Sequence, residues 1–258
     1  MRGRVGIIAG VVAALSAATV AYAATGSYSG QITFKPGRSG TVAKPLPAGF
    51  TLRLRAAEMA GTRPPVQLDV KVKIYGLAEE GRGFPTCTLA RIAAAHSDAM
   101  CPKGAEVASG TLDATLGSSQ NFAAAGAACD PRLDVWNGGQ GKQVYFFVTD
   151  ARHQCLGGAL KTGGTPPYLG IYKRVGSYLV SNVAVPRSID YPLTGLAGSM
   201  QSEQLVFGSR SVTRHGRRIN SLSSFACLKG KRPFSVTTTY TSPTGGTHSQ
   251  TISGSGRC

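Results

Sequence analysis

The sequence predicts a mostly β protein: an antiparallel β-sandwich-like fold with one short α-helix, stabilised by disulfides. Three observations carry this reading. Val66 to Tyr75 alternates apolar and polar residues, a period of two that belongs to a strand with one wet face and hence to an antiparallel sheet. Other short strand-like runs, separated by Gly- and Pro-rich breaks, show no strand–helix–strand rhythm. Six cysteines follow an apolar leader, the pattern of a crosslinked chain from an oxidising compartment.

The leader comes first. Arg2 and Arg4 precede an uncharged apolar run from Val5 to Val20, and Ala21-Tyr22-Ala23 follows as a small-x-small cleavage signature. Residues 1–23 therefore read as a secretory signal peptide cut after Ala23. The run is short of the roughly 20 apolar residues of a membrane span. No later stretch is long enough, so no transmembrane span is expected after cleavage. The remaining 24–258 is an extracellular region of one domain, or of two with a seam near 117–126.

Composition sets the chemistry of that region. The whole chain carries 28 Lys plus Arg against 12 Asp plus Glu. Loss of Arg2 and Arg4 leaves 26 − 12, a net charge of +14. Such a balance favours anionic partners, or serves solubility alone. With 34 glycines and 7 % aromatics, the chain is turn-rich with a lean core, and crosslinks gain importance.

Tyr28 to Phe34 reads as a short strand, and Lys35 to Phe50 as loop. Phe50 to Ala56 alternates, with Arg53 and Arg55 on the wet face. Val66, Leu68, Val70, Val72 and Ile74 then form the apolar face of the best strand. Gln67, Asp69, Lys71, Lys73 and Tyr75 form its wet face.

A short helix follows. Thr86 is placed to cap it. Leu89, Ile92, Ala93, His96 and Met100 recur at three and four residues as one stripe, and Pro102 closes the segment. Cys87 and Cys101 flank it. A straight helix would hold residues this far apart at about 21 Å, so a loop through Ser97 and Asp98 must fold back for them to pair. That crosslink is worth roughly 3 kcal/mol.

Val107 to Leu116 returns to strand, interrupted by Gly110. Leu133 to Trp136 is a short alternating run, and Asn137-Gly138 signals a turn. Val144 to Val148 is nearly all apolar, which fits a strand buried between two layers. Tyr168 to Val185 holds two strands split near Gly176-Ser177. Pro186 to Ser202 reads as a connector and Gln204 to Thr213 as strand. Ser224 to Leu228 is a short segment carrying Cys227. Phe234 to Thr241 and Thr247 to Ser253 are the last strands. A cysteine at the end of the chain suits a clamp on an edge strand, so Cys258 is paired with Cys227. Cys129 remains for Cys155, bracketing the Val144–Val148 strand.

The motifs Phe84-Pro-Thr-Cys87, Cys101-Pro-Lys-Gly-Ala105 and Ser109-Gly-Thr111 carry a resemblance. They are similar to those of secreted, disulfide-containing proteins of uncharacterised function from high-GC Gram-positive (actinobacterial) bacteria. The resemblance continues through Asn137-Gly138, Tyr191-Pro-Leu-Thr-Gly195 and the Cys227/Cys258 pair. Ala108-Ser109-Gly110 stands where the family has Gly-x-Gly. The resemblance implies compartment and architecture, and no activity.

Chemistry-bearing patterns are sparse. No G-x-S-x-G elbow, calcium loop or phosphate-binding loop occurs, and no cofactor or metal is expected. His153 lies two residues from Cys155, but a disulfide has the stronger claim on that cysteine. His96, on the helix stripe, reads as a structural residue. A glycosidase needs two carboxylates flanking the bond. Asp69 on the wet face and Glu79-Glu80 in the following turn could approach each other, but adjacent turn residues are usually plain surface. Trp136, Tyr168, Tyr172 and Tyr178 are the aromatics a carbohydrate site would use. A core position is the commoner fate of Trp136.

Charge gives the one functional hint. No acid follows Glu203, whereas Arg210, Arg214, Arg217, Arg218, Lys229, Lys231, Arg232 and Arg257 do. Arg214, Arg217, Arg218, Lys229, Lys231 and Arg232 form two clusters and are the candidate polyanion-binding residues. Aromatics are not interleaved with them as a nucleic-acid stacking platform requires, and secretion argues against a nucleic-acid target in vivo. The expected function is a non-catalytic secreted or cell-surface protein binding an anionic cell-wall polymer or anionic lipid surface. The alternative is an extracellular hydrolase acting on envelope polymer or lipid, with catalytic residues the sequence does not name.

Overall fold

The computed structural model describes residues 27–35, 39–57, 63–119, 126–150, 152–155, 165–242 and 246–258. The leader and residues 120–125 of the expected seam lie outside the described residues. One antiparallel sheet holds twelve strands. Its spatial order begins β1 (Ser27–Phe34), β3 (Phe50–Ala57), β12 (Leu196–Phe207), β6 (Glu106–Ser118), β8 (Arg132–Gly139) and β9 (Lys142–Val148). It continues β10 (Tyr168–Val175), β11 (Tyr178–Ala184), β4 (Val66–Tyr75), β16 (Lys231–Thr241) and β17 (Thr247–Arg257), with β7 (Ala127–Cys129) beside β6. A small sheet of β2 (Leu46–Pro47), β15 (Leu222–Ser224) and β5 (Leu77–Glu79) follows on from the end of β4. β13 (Ser211–Arg214) and β14 (Arg217–Asn220) make a separate hairpin. The helices are α1 (Leu89–Ala95) and α2 (Arg187–Asp190).

The large sheet curls until its halves face each other. β4 and β12, far apart in the strand order, meet across the interior. The two edges also meet, and the Gln250 amide joins them: it accepts from Tyr28 N at 2.8 Å and donates to Tyr28 O at 2.9 Å. One side chain thus occupies backbone groups that an exposed edge would leave unpaired. Close approach here depends on Gly256, where a Cβ would lie 2.5 Å from the Phe34 ring. The result is an antiparallel, sandwich-like fold, as the alternation predicts.

The interior is apolar. Tyr28, Leu54, Ile74, Val135, Leu205, Val236 and Tyr240 are among its buried side chains. Val144 to Val148 is buried on both faces for a specific reason. Tyr145 and Phe147 point into the interior, whereas Val144, Phe146 and Val148 point outward, under α1 and its disulfide. Trp136 and Ile92 complete this outer cluster. The three disulfides are Cys87–Cys101, Cys129–Cys155 and Cys227–Cys258.

Several local expectations are corrected. Thr88, not Thr86, caps α1: its hydroxyl accepts from Arg91 N at 3.3 Å. His96 ends the helix in the left-handed region with φ 47°, six residues before Pro102. Of the expected stripe, Leu89 and Ile92 pack in the outer cluster, Ala93 is half-buried, and His96 and Met100 are exposed. Asn137-Gly138 belongs to a bulge in β8, and the turn falls at Gln140-Gly141. The supposed connector 186–202 contains α2 and the start of β12. Small residues at 197–199 hide this strand from propensity, but pairing with β6 forms it. The run 204–213 breaks into β12 and β13, β14 is an additional strand, and β15 ends at Ser224, before Cys227.

The cap gives a local prediction. Thr88→Ala removes the acceptor for Arg91 N and should cost about 0.5–1 kcal/mol. The disulfide retains the loop, so the effect is expected as faster amide exchange at Arg91 and Ile92 with little change in global unfolding.

Candidate functional site

The basic residues fall into two exposed groups and one buried residue. Arg214, Arg217 and Arg218 lie at the tip of the β13–β14 hairpin. The tip is a two-residue turn with His215 and Gly216 at φ 48° and 70°, as a tight hairpin turn requires. Arg214 stands directly opposite Arg217. Arg214 also packs on the loop between β5 and α1, where a Cβ added at Gly83 would touch its guanidinium. Arg82, next to Gly83 in the same loop, holds its guanidinium on Gln140, a cation in this neighbourhood that sequence separation concealed. Ser221 accepts from Arg210 N at 2.9 Å and secures the base of the hairpin.

Lys229 and Lys231 form the second group, around a turn with Lys229 and Gly230 at φ 49° and 76°. Lys231 is opposite Arg257 on β17. Cys258 N donates to Gly230 O at 3.2 Å, and the Cys227–Cys258 disulfide fixes the chain end beside this turn. No hydrogen bond among the described residues joins this turn to the hairpin.

Arg232 differs from the other five candidates. It is 4 % exposed and lies under the turn. Its guanidinium donates to Ser224 Oγ at 2.6 Å and Tyr75 O at 3.3 Å and lies over the Phe34 ring. Burial lowers its pKa to about 10. It ties β16 to β4 and β15 and does not face solvent.

The interior holds a second feature. A cavity of about 150 Å³, the size that accepts a benzene-sized guest, runs among Val70, Val72, Leu133, Phe147, Val183 and Leu205. Three carboxyls enter this apolar lining: Glu79, Asp190 and Glu203. Gln143 donates to both Glu79 oxygens at 2.9 and 2.8 Å and accepts from Tyr145 Oη at 2.9 Å. Burial raises Glu79 to about 7 despite the Gln143 bonds, and raises Asp190 and Glu203 to about 7 with no opposing cation.

Gln67 also lines the cavity, contrary to its expected place on the wet face. Thr239 pairs with Asp69 and Tyr240 with Gln67, so Leu68 is an extra residue in β4. This bulge shifts the alternation by one.

Other expected sites are answered by the packing. Trp136, Tyr168 and Tyr172 are buried, so they offer no exposed platform for a sugar ring. Cys155 is disulfide-bonded, and His153 Nδ1 is 3.0 Å from Asp150 Oδ1. Among the described residues no serine hydroxyl bonds a histidine, and no three His, Cys, Asp or Glu side chains gather as a metal site. Comparison of the chain with protein-family models, curated proteins and solved structures found no match.

Proposed function

We propose that the chain is a non-catalytic protein, exported by residues 1–23, that binds an anionic envelope polymer through its exposed basic turns. The observation that carries this reading is the pairing of like charges across strands: Arg214 with Arg217, and Lys231 with Arg257. Directly opposed like charges weaken a strand pair. A bound polyanion relieves that repulsion. The site comprises Arg82, Arg214, Arg217 and Arg218 on one group and Lys229, Lys231 and Arg257 on the other. Arg232 is excluded because its guanidinium is buried and bonded. The small-x-small signature at Ala21-Tyr22-Ala23 and the three disulfides support an extracellular setting.

The test is retention of residues 24–258 on purified cell wall, anionic vesicles and heparin between about 50 and 300 mM salt, a range that spans the physiological screening length. The comparison protein carries Arg214→Ser, Arg217→Ser and Arg218→Ser, all at exposed positions. The native chain is expected to hold on cell wall and heparin to higher salt than the variant. Equal retention rejects the site, and retention on vesicles alone moves the partner to lipid. Stoichiometric labelling of the folded chain by a covalent serine-hydrolase probe would favour the hydrolase reading instead.

A further inference from the structure

We propose that the interior cavity is a binding site for a small neutral hydrocarbon, held by the apolar lining and released when Glu203 ionises. The site is independent of the basic turns.

The walls leave room that side chains do not fill. Protein interiors are packed as densely as organic crystals, with few voids larger than a water molecule, whereas this void has about 150 Å³. Val72 of β4 and Leu112 of β6 pack against the interior cluster and line the cavity, yet both are only half-buried. Their chain neighbours Lys71, Lys73, Thr111 and Asp113 point the opposite way and are exposed. The uncovered surface of Val72 and Leu112 therefore opens on the cavity, where a guest can touch it. Leu133, Phe147, Leu179 and Val183 extend the same apolar wall. A void of this size and lining takes a guest of about the size of benzene.

The chemistry of the wall selects the ligand. Burial of apolar surface needs no directional partner. A charged head group must instead replace its water shell, and among the described residues no cluster of three His, Cys, Asp or Glu side chains gathers to do so. Glu203 pairs with Leu54 and Leu112 across the strands, lines the cavity and is half-buried, so its side chain also reaches the cavity surface. Burial keeps it neutral up to about pH 7. The phenols that act on it, Tyr28 of β1, Tyr145 of β9 and Tyr168 of β10, are held protonated by their own burial. Arg53 and Arg55 of β3 and Lys71 and Lys73 of β4 are exposed, and no cation offsets the burial of Glu203. Two other acids line the cavity. Glu79 is held through two hydrogen bonds from Gln143, and Asp190 is 6 % exposed and presents almost no surface to a guest. Ionised Glu203 therefore has only water to solvate it, and that water occupies the space a hydrocarbon needs.

The probe is benzene, compared with benzylamine and benzoate, titrated into residues 24–258 and followed by the methyl resonances of the valine and leucine residues that line the cavity. At about pH 5.5 benzene is expected to bind saturably, one per chain, and roughly tenfold or more tightly than either charged analogue. At about pH 8 its affinity should be roughly tenfold weaker, because only the protonated fraction of Glu203 leaves the cavity open to it. Val72→Phe fills the void with a ring of its own and should weaken benzene by about tenfold or more. Leu112→Trp fills it from β6 and keeps the test open if Val72→Phe fails to fold. Glu203→Gln should bind benzene with affinities at the two pH values that agree within about threefold. The site is overturned by absent benzene binding, by a charged analogue binding as tightly, or by undiminished binding in a folded void-filling variant. The release is overturned by equal benzene affinity at both pH values in the native chain, or by the native pH dependence in folded Glu203→Gln.

Discussion

Phe146→Ala is expected to lower the unfolding free energy by about 3–5 kcal/mol, the cost of emptying a buried aromatic site. Phe146 is 1 % exposed and sits on the outward face of β9, under α1 and beside Trp136. The disulfide ties Cys87 to Cys101 and limits how far the loop can collapse into the space. The loss should therefore lie at the upper part of the range. Phe147, on the other face, lines the cavity and is 9 % exposed. Phe147→Ala should cost less because its site already has free volume. Urea denaturation of both variants checks the order. Equal losses would mean that the outer cluster is no better packed than the interior.

The second large effect depends on pH. Glu203 projects inward from β12, paired with Leu54 on one side and Leu112 on the other. Burial holds it protonated up to about 7, against 4.5 for the free side chain. Between these values the folded chain binds more protons than the unfolded one, so stability falls as pH rises. Burial of this carboxyl costs least below about pH 4.5, and its full ionic cost is present above about pH 7. Glu79 and Asp190 act in the same direction. Glu203→Gln should accordingly raise stability at pH 8 by about 1–3 kcal/mol, since a tenfold change in proton affinity between the folded and unfolded chain is worth about 1.4 kcal/mol. At pH 4.5 it should change little, because glutamine resembles the neutral acid in shape. A variant no more stable than the native chain at pH 8 would place the Glu203 carboxylate in water.

Much of this fold is legible in the residues. The alternation of Phe50 to Ala56, the apolar run Val144 to Val148 and the break at Gly176-Ser177 each match an observed strand or turn. The cysteine pairing follows because Cys87, Cys227 and Cys258 lie where local chain reversals bring partners together. The features that line the interior cavity are not legible. Gln67 turns inward only because β4 contains a bulge, and a bulge is set by the partner strand β16. Ser199 and Asp190 fall in a segment whose Pro and Gly content reads as loop. Only pairing of β12 with β6 across the sheet defines its Ser199 part as strand, and Asp190 ends the short helix α2. Arg232 carries the same charge as its neighbours in sequence, and its burial arises from the alternation of β16, in which 232, 234, 236, 238 and 240 are buried. That alternation is visible from Phe234 onward, and carrying it two residues back places Arg232 on the inward face.

The opposed cations of the β13–β14 hairpin are the centre of the proposed polyanion-binding surface. Its most direct measurement is the affinity of residues 24–258 for poly(glycerol phosphate) as a function of salt. Each phosphate contact contributes about −0.7 to the slope of log K against log salt for a flexible single-stranded polyanion. The native chain should give a slope of about −2 or steeper, and loss of Arg214, Arg217 and Arg218 should reduce its magnitude by about 2. An unchanged slope and affinity after removal of those three side chains would contradict a binding role for the hairpin.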